Sequence, residues 1–143
     1  IPVEIGNLTK LQYLQMTECL VSGSIPKEIG NLVSLKVLEL GELKLSKNIP
    51  PEIGTLANLE ELSLDDNKLS GSIPKELGNL TKLKKIDFQH NMLSGPIPKE
   101  LGNLILLEKL MLNTNRLTGK IPIEVKNLPK MKYLQVYQNC IDE

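Results

Sequence analysis

Residues 73–96 read IPKELGNLTKLKKIDFQHNMLSGP, and the same pattern runs through the whole chain. Six units begin at Ile1, Ile25, Ile49, Ile73, Ile97 and Ile121; five have 24 residues, the last has 23, and none needs a gap. Seven positions of the unit are apolar in all six copies, which makes 42 apolar residues in 42 positions. Such a period is typical of a solenoid, in which each unit buries its apolar face against its neighbours. The sequence therefore predicts a solenoid of repeats 1–24, 25–48, 49–72, 73–96, 97–120 and 121–143.

Each unit is predicted to contain one short strand followed by a turn. Leu62-Ser63-Leu64 and its equivalents alternate apolar and polar residues, which is the period of a half-buried strand. Because every unit runs in the same direction, these strands form a parallel sheet. An asparagine then recurs at one inward position, where its amide can bond main-chain groups of the next unit. The members of this asparagine ladder are Asn67, Asn91, Asn115 and Asn139.

The Ile-Pro-x-Glu segment that opens each unit predicts a short helical or 3₁₀ turn. Proline fits the first helical position, where its missing N–H is not needed. The glutamate two residues later stands in the first turn, where a carboxylate complements the helix dipole. We therefore interpret this acidic column as structural rather than as a charged site.

Composition narrows the classes of function. Among 143 residues, 17 basic and 17 acidic side chains give zero formal net charge, so the chain as a whole is not drawn to nucleic acid or to an anionic membrane. No apolar run of about 18 residues predicts a transmembrane helix. No basic-then-apolar leader is visible at the first residues.

The two cysteines, Cys19 and Cys140, lie in the first and last units. Five strand spacings of about 4.8 Å would separate them by roughly 24 Å, whereas a disulfide needs Cα atoms within about 7 Å. We therefore do not expect them to pair with each other. Cys19 is expected to be a small buried thiol, and Cys140 a free thiol or the partner of a cysteine outside this chain.

The repeat resembles the plant-specific leucine-rich repeat, whose pattern is LxxLxLxxNxLxGxIPxxLGxLxxL. The segments that carry the likeness best are IPKELGNLTKL at residues 73–83 and LSGP at 93–96, and the likeness covers the whole chain. It is greatest to the extracellular domains of plant receptor-like kinases and receptor-like proteins. This resemblance implies an α/β solenoid: a right-handed superhelix with a parallel sheet on the concave side, short helical or 3₁₀ turns on the convex side, and a second short sheet near Leu-Ser-Gly. It also implies a secreted or cell-surface context and peptide or protein ligands.

Some units depart from the family pattern. Cys19 and Leu43 stand at the asparagine position, and Lys47 replaces the turn glycine, so the loop of residues 41–48 is expected to differ locally. Lys126 and Pro129 alter the last unit. The cysteine-bearing terminal caps of the receptor family are missing, and uncapped end repeats would expose their apolar columns to water. We therefore expect a fragment of a longer array.

Candidate ligand-binding residues are those expected to face solvent on the concave sheet. Six acidic residues gather in units 2 to 4: Glu39, Glu42, Glu61, Asp65, Asp66 and Asp87. Like charges on neighbouring strands cost stability, so a basic or amine-bearing partner would relieve their repulsion. His90 adjoins them, and Tyr133 and Tyr137 offer amphipathic contact area. An ordinary solvated face is the alternative. The neighbouring column, which alternates in charge from Lys36 to Lys132, is interpreted as structural.

The sequence contains no motif for chemistry. His90, the only histidine, has no assigned nucleophile beside it, and no loop of alternating carboxylates and glycine predicts a calcium site. Neither a phosphate-binding loop nor a dinucleotide fingerprint occurs. We therefore expect no catalysis, no metal and no cofactor. Two sequons, Asn7-Leu8-Thr9 and Asn79-Leu80-Thr81, are expected just after the helical turn on the outer face, and they favour a secretory route.

The sequence thus predicts a non-catalytic, ligand-recognition segment of a cell-surface or secreted receptor. Its expected partners are a protein or peptide ligand, basic if the acidic residues bind it, and a co-receptor; nucleic acid and membrane contact by this segment are not expected. Two alternatives stay open. One is an intracellular leucine-rich repeat scaffold or structural subunit, which unglycosylated protein with reduced cysteines would favour. The other is a secreted inhibitor of hydrolases, which co-purification with a hydrolase would favour.

Overall fold

The computed structural model describes residues 1–142, in which two strands per repeat alternate along the chain. The strands are β1 (Tyr13–Gln15), β2 (Ser22–Gly23), β3 (Val37–Glu39), β4 (Lys44–Asn48), β5 (Glu61–Ser63), β6 (Lys68–Gly71), β7 (Lys85–Asp87), β8 (Met92–Pro96), β9 (Lys109–Met111), β10 (Arg116–Gly119), β11 (Tyr133–Gln135) and β12 (Cys140–Ile141). The odd-numbered strands form one parallel sheet in sequence order, and the even-numbered strands form a second. The chain is thus an open solenoid with the predicted concave sheet and an additional lateral sheet.

The registers of the two sheets differ. In the concave sheet each residue pairs with its equivalent in the next repeat, as Leu62 pairs with Ile86. In the lateral sheet Lys68 pairs with Ser46 rather than with its equivalent, Lys44. The concave register therefore aligns equivalent side chains in straight columns across the repeats, which the lateral sheet does not do.

A helical turn lies on the convex side of each repeat. The 3₁₀ helices are Val3–Asn7, Lys27–Asn31, Pro51–Thr55, Lys75–Asn79 and Lys99–Asn103, and an α-helix, Ile123–Lys126, replaces them in the last repeat. Each has its glutamate in the first turn, as predicted. The conserved proline of the motif lies one residue earlier than predicted, as the capping residue with extended backbone, for example Pro26 with φ −72° and ψ 146°. Proline fixes only φ, and that value suits an extended residue as well as a helical one.

A continuous apolar core lies between the sheets and the helical turns. In repeats 2 to 5 none of the side chains in the seven apolar columns is more than 4% exposed, which confirms the predicted core. Phe88 is the largest of them and is fully buried. Leu14, Met16, Leu134 and Val136, in the first and last repeats, are only partly buried because each packs against one neighbouring repeat instead of two.

The asparagine ladder joins each repeat to the preceding one. Asn91 Nδ2 donates to the carbonyl oxygens of Leu64 at 2.9 Å and Phe88 at 3.3 Å, and Asn91 Oδ1 accepts from the Leu69 N–H at 2.9 Å. The same bonds recur at Asn67, Asn115 and Asn139. The predicted direction, toward the next repeat, is wrong: Leu64 and Leu69 belong to the repeat before Asn91.

Repeat 2 keeps the backbone of its neighbours despite its unusual residues. Lys47 adopts φ 66°, close to the 77° of Gly71, and β4 pairs with β2 and β6 in the shared register. The expected local difference in residues 41–48 is therefore wrong for the backbone. Pairing on both edges outweighs the cost of a left-handed lysine, about 1 to 2 kcal/mol.

Cys19 is exposed, contrary to the prediction of a buried thiol. The ladder asparagines find their partners on the preceding repeat, and repeat 1 has no such backbone beside it in this chain. Cys19 Sγ instead donates to the carbonyl oxygen of Thr17 at 3.1 Å. Cys140 is also exposed, and both cysteines are free.

Candidate ligand-binding face

Outward side chains of the concave sheet form three columns. Residues two apart on a strand share a face, and the register aligns equivalent positions from repeat to repeat. The first column contains Tyr13, Val37, Glu61, Lys85, Lys109 and Tyr133. The middle column contains Gln15, Glu39, Ser63, Asp87, Met111 and Gln135. The turn column contains Thr17, Gly41, Asp65, Gln89, Asn113 and Tyr137. We call these three columns the concave face.

The centre of the concave face is buried. Ser63, Asp87 and Asn113 are only 5%, 4% and 1% exposed, whereas the sequence analysis expected Asp87 to face solvent. Neighbouring strands are about 4.8 Å apart, so longer side chains of adjacent repeats close over short ones. These three buried polar side chains form the floor of the concave face.

Two of the predicted acids, Asp65 and Asp87, meet at this floor. Ser63 Oγ donates to Asp65 Oδ1 at 2.9 Å, and the Gln89 N–H donates to Asp87 Oδ1 at 3.3 Å. Burial, followed by the nearby charge of Asp65, raises the pKa of Asp87 to about 6. The Gln89 N–H and Lys85, whose Nζ lies 3.8 Å from Asp87 Oδ2, offset this only in part.

Glu39 and Glu61 have partners of their own on the concave face. Glu39 Oε2 accepts a hydrogen bond from Gln15 Nε2 at 2.7 Å. Glu61 stands opposite Lys85 in the strand register. The predicted acidic cluster is therefore not one uniform patch.

Glu42, Asp66 and His90 lie on the rim, one residue beyond the turn column. The backbone at this position is left-handed in every repeat, with φ between 50° and 57°. The residues are Glu18, Glu42, Asp66, His90, Thr114 and Gln138. His90 Nδ1 lies 3.3 Å from Asp66 Oδ1, so these two side chains are adjacent on the rim. Glu42 is exposed. The acids that come together on the floor are thus Asp65 and Asp87, with Asp66 beside them.

The sequence analysis missed two lysines next to the acids. Lys85 and Lys109 are register partners, and like charges directly opposite each other repel. Lys85 approaches Asp87, while Lys109 Nζ lies 5.6 Å from the centre of the Tyr133 ring. The sequence could have revealed this pair, because the two lysines occupy the same position in consecutive repeats. The concave face therefore carries both signs of charge.

The column before the first strand residue has the ion pairs expected of its alternating charges. Lys84 Nζ lies 2.7 Å from Glu60 Oε2, and Lys132 Nζ lies 2.7 Å from Glu108 Oε2. The hydrogen bond from each lysine lowers the pKa of its glutamate partner. Such pairs at the surface contribute little to stability.

The tyrosines stand apart from the acids. Tyr133 and Tyr137 are 55% and 58% exposed in repeat 6. Three repeat spacings, about 14 Å in all, separate Tyr137 from Asp65 along the turn column. Tyr13, 57% exposed at the other end of the concave face, is a third aromatic that the sequence analysis did not select.

Asn7 and Asn79 lie on the convex side, away from the concave face. Each is the last residue of its 3₁₀ helix, rather than just after it as predicted, and each is exposed. Thr9 and Thr81, which complete the sequons, are exposed as well.

Residues 1–142 contain no group of three or more His, Cys, Asp or Glu side chains arranged to hold a metal ion. No helix in this part of the chain is long and apolar enough to cross a membrane.

Comparison with known proteins gives the same architecture. Residues 2–141 match the family model described as a leucine-rich repeat region. Among solved structures, the chain is similar to a TDR receptor, with 33% identity and a TM-score of 0.96 over 99% of this chain. It is also similar to the ectodomain of the Arabidopsis receptor kinase HAESA, solved with an N-terminally extended IDA peptide hormone ligand, with 35% identity and a TM-score of 0.94 over 99%.

The ectodomain of the receptor kinase SOBIR1 from Arabidopsis thaliana is a third similar structure, with 32% identity and a TM-score of 0.85 over 90% of this chain. The chain spans 24% of the length of the TDR and HAESA chains and 71% of the SOBIR1 chain. No curated protein matches it.

Proposed function

The chain belongs to the leucine-rich repeat family, and we propose that it is a non-catalytic ligand-recognition segment of a plant cell-surface receptor. Its repeats are of the plant-specific type, and the ectodomains of the receptor kinases HAESA and SOBIR1 share its fold. The chain corresponds to only part of such an ectodomain, so any kinase activity would reside in a separate domain.

The proposed ligand is a peptide that lies across the strands of the concave face. The observation that carries this proposal is the strand register of the concave face, which lines up outward side chains of six repeats in three straight columns. HAESA was solved with a peptide hormone ligand. An extended peptide suits such a surface because its side chains can contact columns of outward residues that repeat at the strand spacing. The acid pair Asp65 and Asp87 favours a basic ligand.

A co-receptor is the second proposed partner. HAESA was also solved with its peptide hormone together with the co-receptor SERK1. We place the segment at the cell surface, with Asn7 and Asn79 as glycosylation sites. Their exposure on the convex side supports this, since attached glycans would leave the concave face open to a ligand.

The test is to select a displayed library of random linear peptides on the 143-residue chain and to measure binding of the selected peptides to two arginine variants. Met111→Arg places a long cation in the middle column, next to Asp87. We expect it to weaken binding by about tenfold or more, equivalent to about 1.4 kcal/mol.

Ile105→Arg is the matched control, because Ile105 is 57% exposed and lies outside the concave face. It should leave affinity within about twofold, roughly 0.4 kcal/mol. If both variants bind the selected peptides as well as the original chain does, the concave face is not the binding surface and the proposal fails.

A further inference from the structure

We propose that the lateral sheet is a second interaction surface, which binds an acidic segment of a protein partner and takes one of its apolar side chains into an adjoining groove. This inference goes beyond the proposed ligand site. It concerns β4, β6 and the turns that follow them, none of which lies on the concave face.

The lateral sheet carries charge of one sign. Its six strands contain four basic residues and no acidic residue, although the whole chain has equal numbers of both. The four, all exposed, are Lys44, Lys47, Lys68 and Arg116. None of them forms an ion pair within residues 1–142. Their charge is therefore available to a partner.

Three of these residues form a lysine cluster on neighbouring strands. The register of β4 with β6 puts the Cα atom of Lys68 about 8 Å from that of Lys44 and about 6 Å from that of Lys47. Like charges at such distances repel each other. Glu42 and Asp66, the nearest acids along the chain, lie on the rim and form no ion pair with these lysines. The cluster therefore costs the fold stability, and an acidic partner would relieve the repulsion.

Lys47 carries a second, independent cost. Its φ of 66° is left-handed, and the equivalent residue is a glycine in four other repeats: Gly23, Gly71, Gly95 and Gly119. Glycine adopts this backbone without strain, whereas lysine does not. Residues held in such conformations cluster at functional sites. Since the lateral sheet forms with glycine at this position elsewhere, we assign the lysine side chain a role in binding.

A groove of about 520 Å³ adjoins the lysine cluster at the ends of the lateral strands. It includes Asn48, the residue after Lys47. Four prolines line it: Pro51, Pro74, Pro96 and Pro98. Lys75 and Glu76 add one charge of each sign, so the groove itself is neutral. An apolar side chain that enters it would remove the exposed proline rings from water.

The lysine cluster and the groove together favour a polypeptide over other polyanions. An acidic polysaccharide or a nucleic acid brings charge but no aliphatic side chain for the groove. Bases commonly stack on aromatic rings, and the lateral strands contain none. A protein segment with glutamate or aspartate beside leucine or valine supplies both kinds of contact.

The probe is a short synthetic peptide that contains several glutamates and one leucine. Its affinity for the whole chain is measured by calorimetry, next to a peptide in which serine replaces the leucine and to an oligomer of glucuronic acid with the same charge. We expect the leucine peptide to bind at least fivefold more tightly than either comparison probe.

Lys47→Gly separates a binding role from a structural one, because it should affect binding and stability in opposite directions. Without the left-handed lysine the unfolding temperature should rise by about 2 to 4 °C. Affinity for the leucine peptide should fall at least threefold. Lys10→Gly is the matched control, since it removes the same side chain from an exposed turn in repeat 1. It should change affinity less than twofold.

Ser72→Phe tests the groove. Ser72 is exposed and lines the groove, so a phenylalanine there fills it without a change in charge. We expect this variant to bind the leucine and serine peptides equally. Circular dichroism would verify that it is folded.

Three results would overturn the proposal. Equal losses in Lys47→Gly and Lys10→Gly would mean that the peptide responds only to overall charge. An oligosaccharide that binds as tightly as the leucine peptide would assign the lateral sheet to another class of polyanion. A lower unfolding temperature in Lys47→Gly would mean that the lysine stabilises the fold. The proposed ligand site is tested separately by Met111→Arg, so either proposal can fail without the other.

Discussion

At the scale of single residues, Asp87 combines a position in the proposed binding face with a cost to the fold. Its pKa is raised from 3.8 to about 6 by burial and by Asp65. Between about pH 4 and pH 6 the folded chain therefore retains a proton that the unfolded chain releases, and the free energy of unfolding falls as pH rises. Asp87→Asn removes the buried charge. We expect it to stabilise the chain by about 1 to 2 kcal/mol at pH 7.5 and to change little at pH 4.

Thermal or urea unfolding across pH 4 to 8 measures this effect. Asp66→Asn is the control, because Asp66 is nearly half exposed and paired with His90. Its unfolding curve should follow that of the original chain within about 0.5 kcal/mol. If Asp87→Asn shifts stability equally at both ends of the range, burial of the charge is not the cause.

The same residue marks a limit of sequence reasoning. The alternation around Ile86 correctly predicted that Asp87 points away from the core, but not that it is 4% exposed. Alternation fixes the face of a strand on which a residue lies. Burial on that face depends on the side chains of the adjacent repeats, and Asn113 is buried for the same reason.

At the scale of elements, the asparagine ladder provides hydrogen bonds to main-chain groups of the preceding repeat, between its concave and lateral strands. Asn91→Ala would leave the Leu69 N–H without its side-chain partner in a partly buried turn, whereas the Leu64 carbonyl oxygen would keep its bond from Asn67 Nδ2. Each buried polar group left unpaired costs about 1 to 3 kcal/mol. We therefore expect a loss of about 1 to 3 kcal/mol in the free energy of unfolding, measured by urea denaturation.

Asn103→Ala is the matched change at an exposed asparagine that ends a 3₁₀ helix. It should cost less than about 0.5 kcal/mol. Equal effects of the two substitutions would mean that the ladder bonds contribute no more than any surface asparagine does.

The elements themselves were largely predictable, because the same pattern of apolar positions recurs in six units with a period of 24 residues. The concave strands, the helical turns and the core all follow from it. The prediction for Lys47 was wrong because it considered only the backbone preference of lysine. It did not include the pairing of β4 with strands on both sides. Cys19 was misjudged because its position is inward only where a preceding repeat covers it. Tertiary context decided both residues.

At the scale of the whole molecule, the repeat separates two surfaces. The columns proposed to bind the ligand lie on the concave sheet. An asparagine that ends each 3₁₀ helix lies on the convex side, except in repeat 3, where the helix ends at Thr55. A glycan on the convex side would therefore shield the back of the solenoid without covering the proposed site. This arrangement links the proposed location of the protein to its proposed function.

In protein from its native source, we expect glycans at Asn7 and Asn79, where a threonine follows two residues later. Asn31 and Asn103 hold the equivalent helix-end position, but the residue two positions later is a valine or an isoleucine instead of a threonine. These two asparagines should therefore be unmodified. Glycopeptide mapping tests this with its control inside one molecule. Asn79→Gln should leave peptide affinity unchanged, because the glycan and the ligand occupy opposite faces. An unmodified Asn79 would favour an intracellular scaffold, and a loss of affinity in Asn79→Gln would contradict the separation of the two faces.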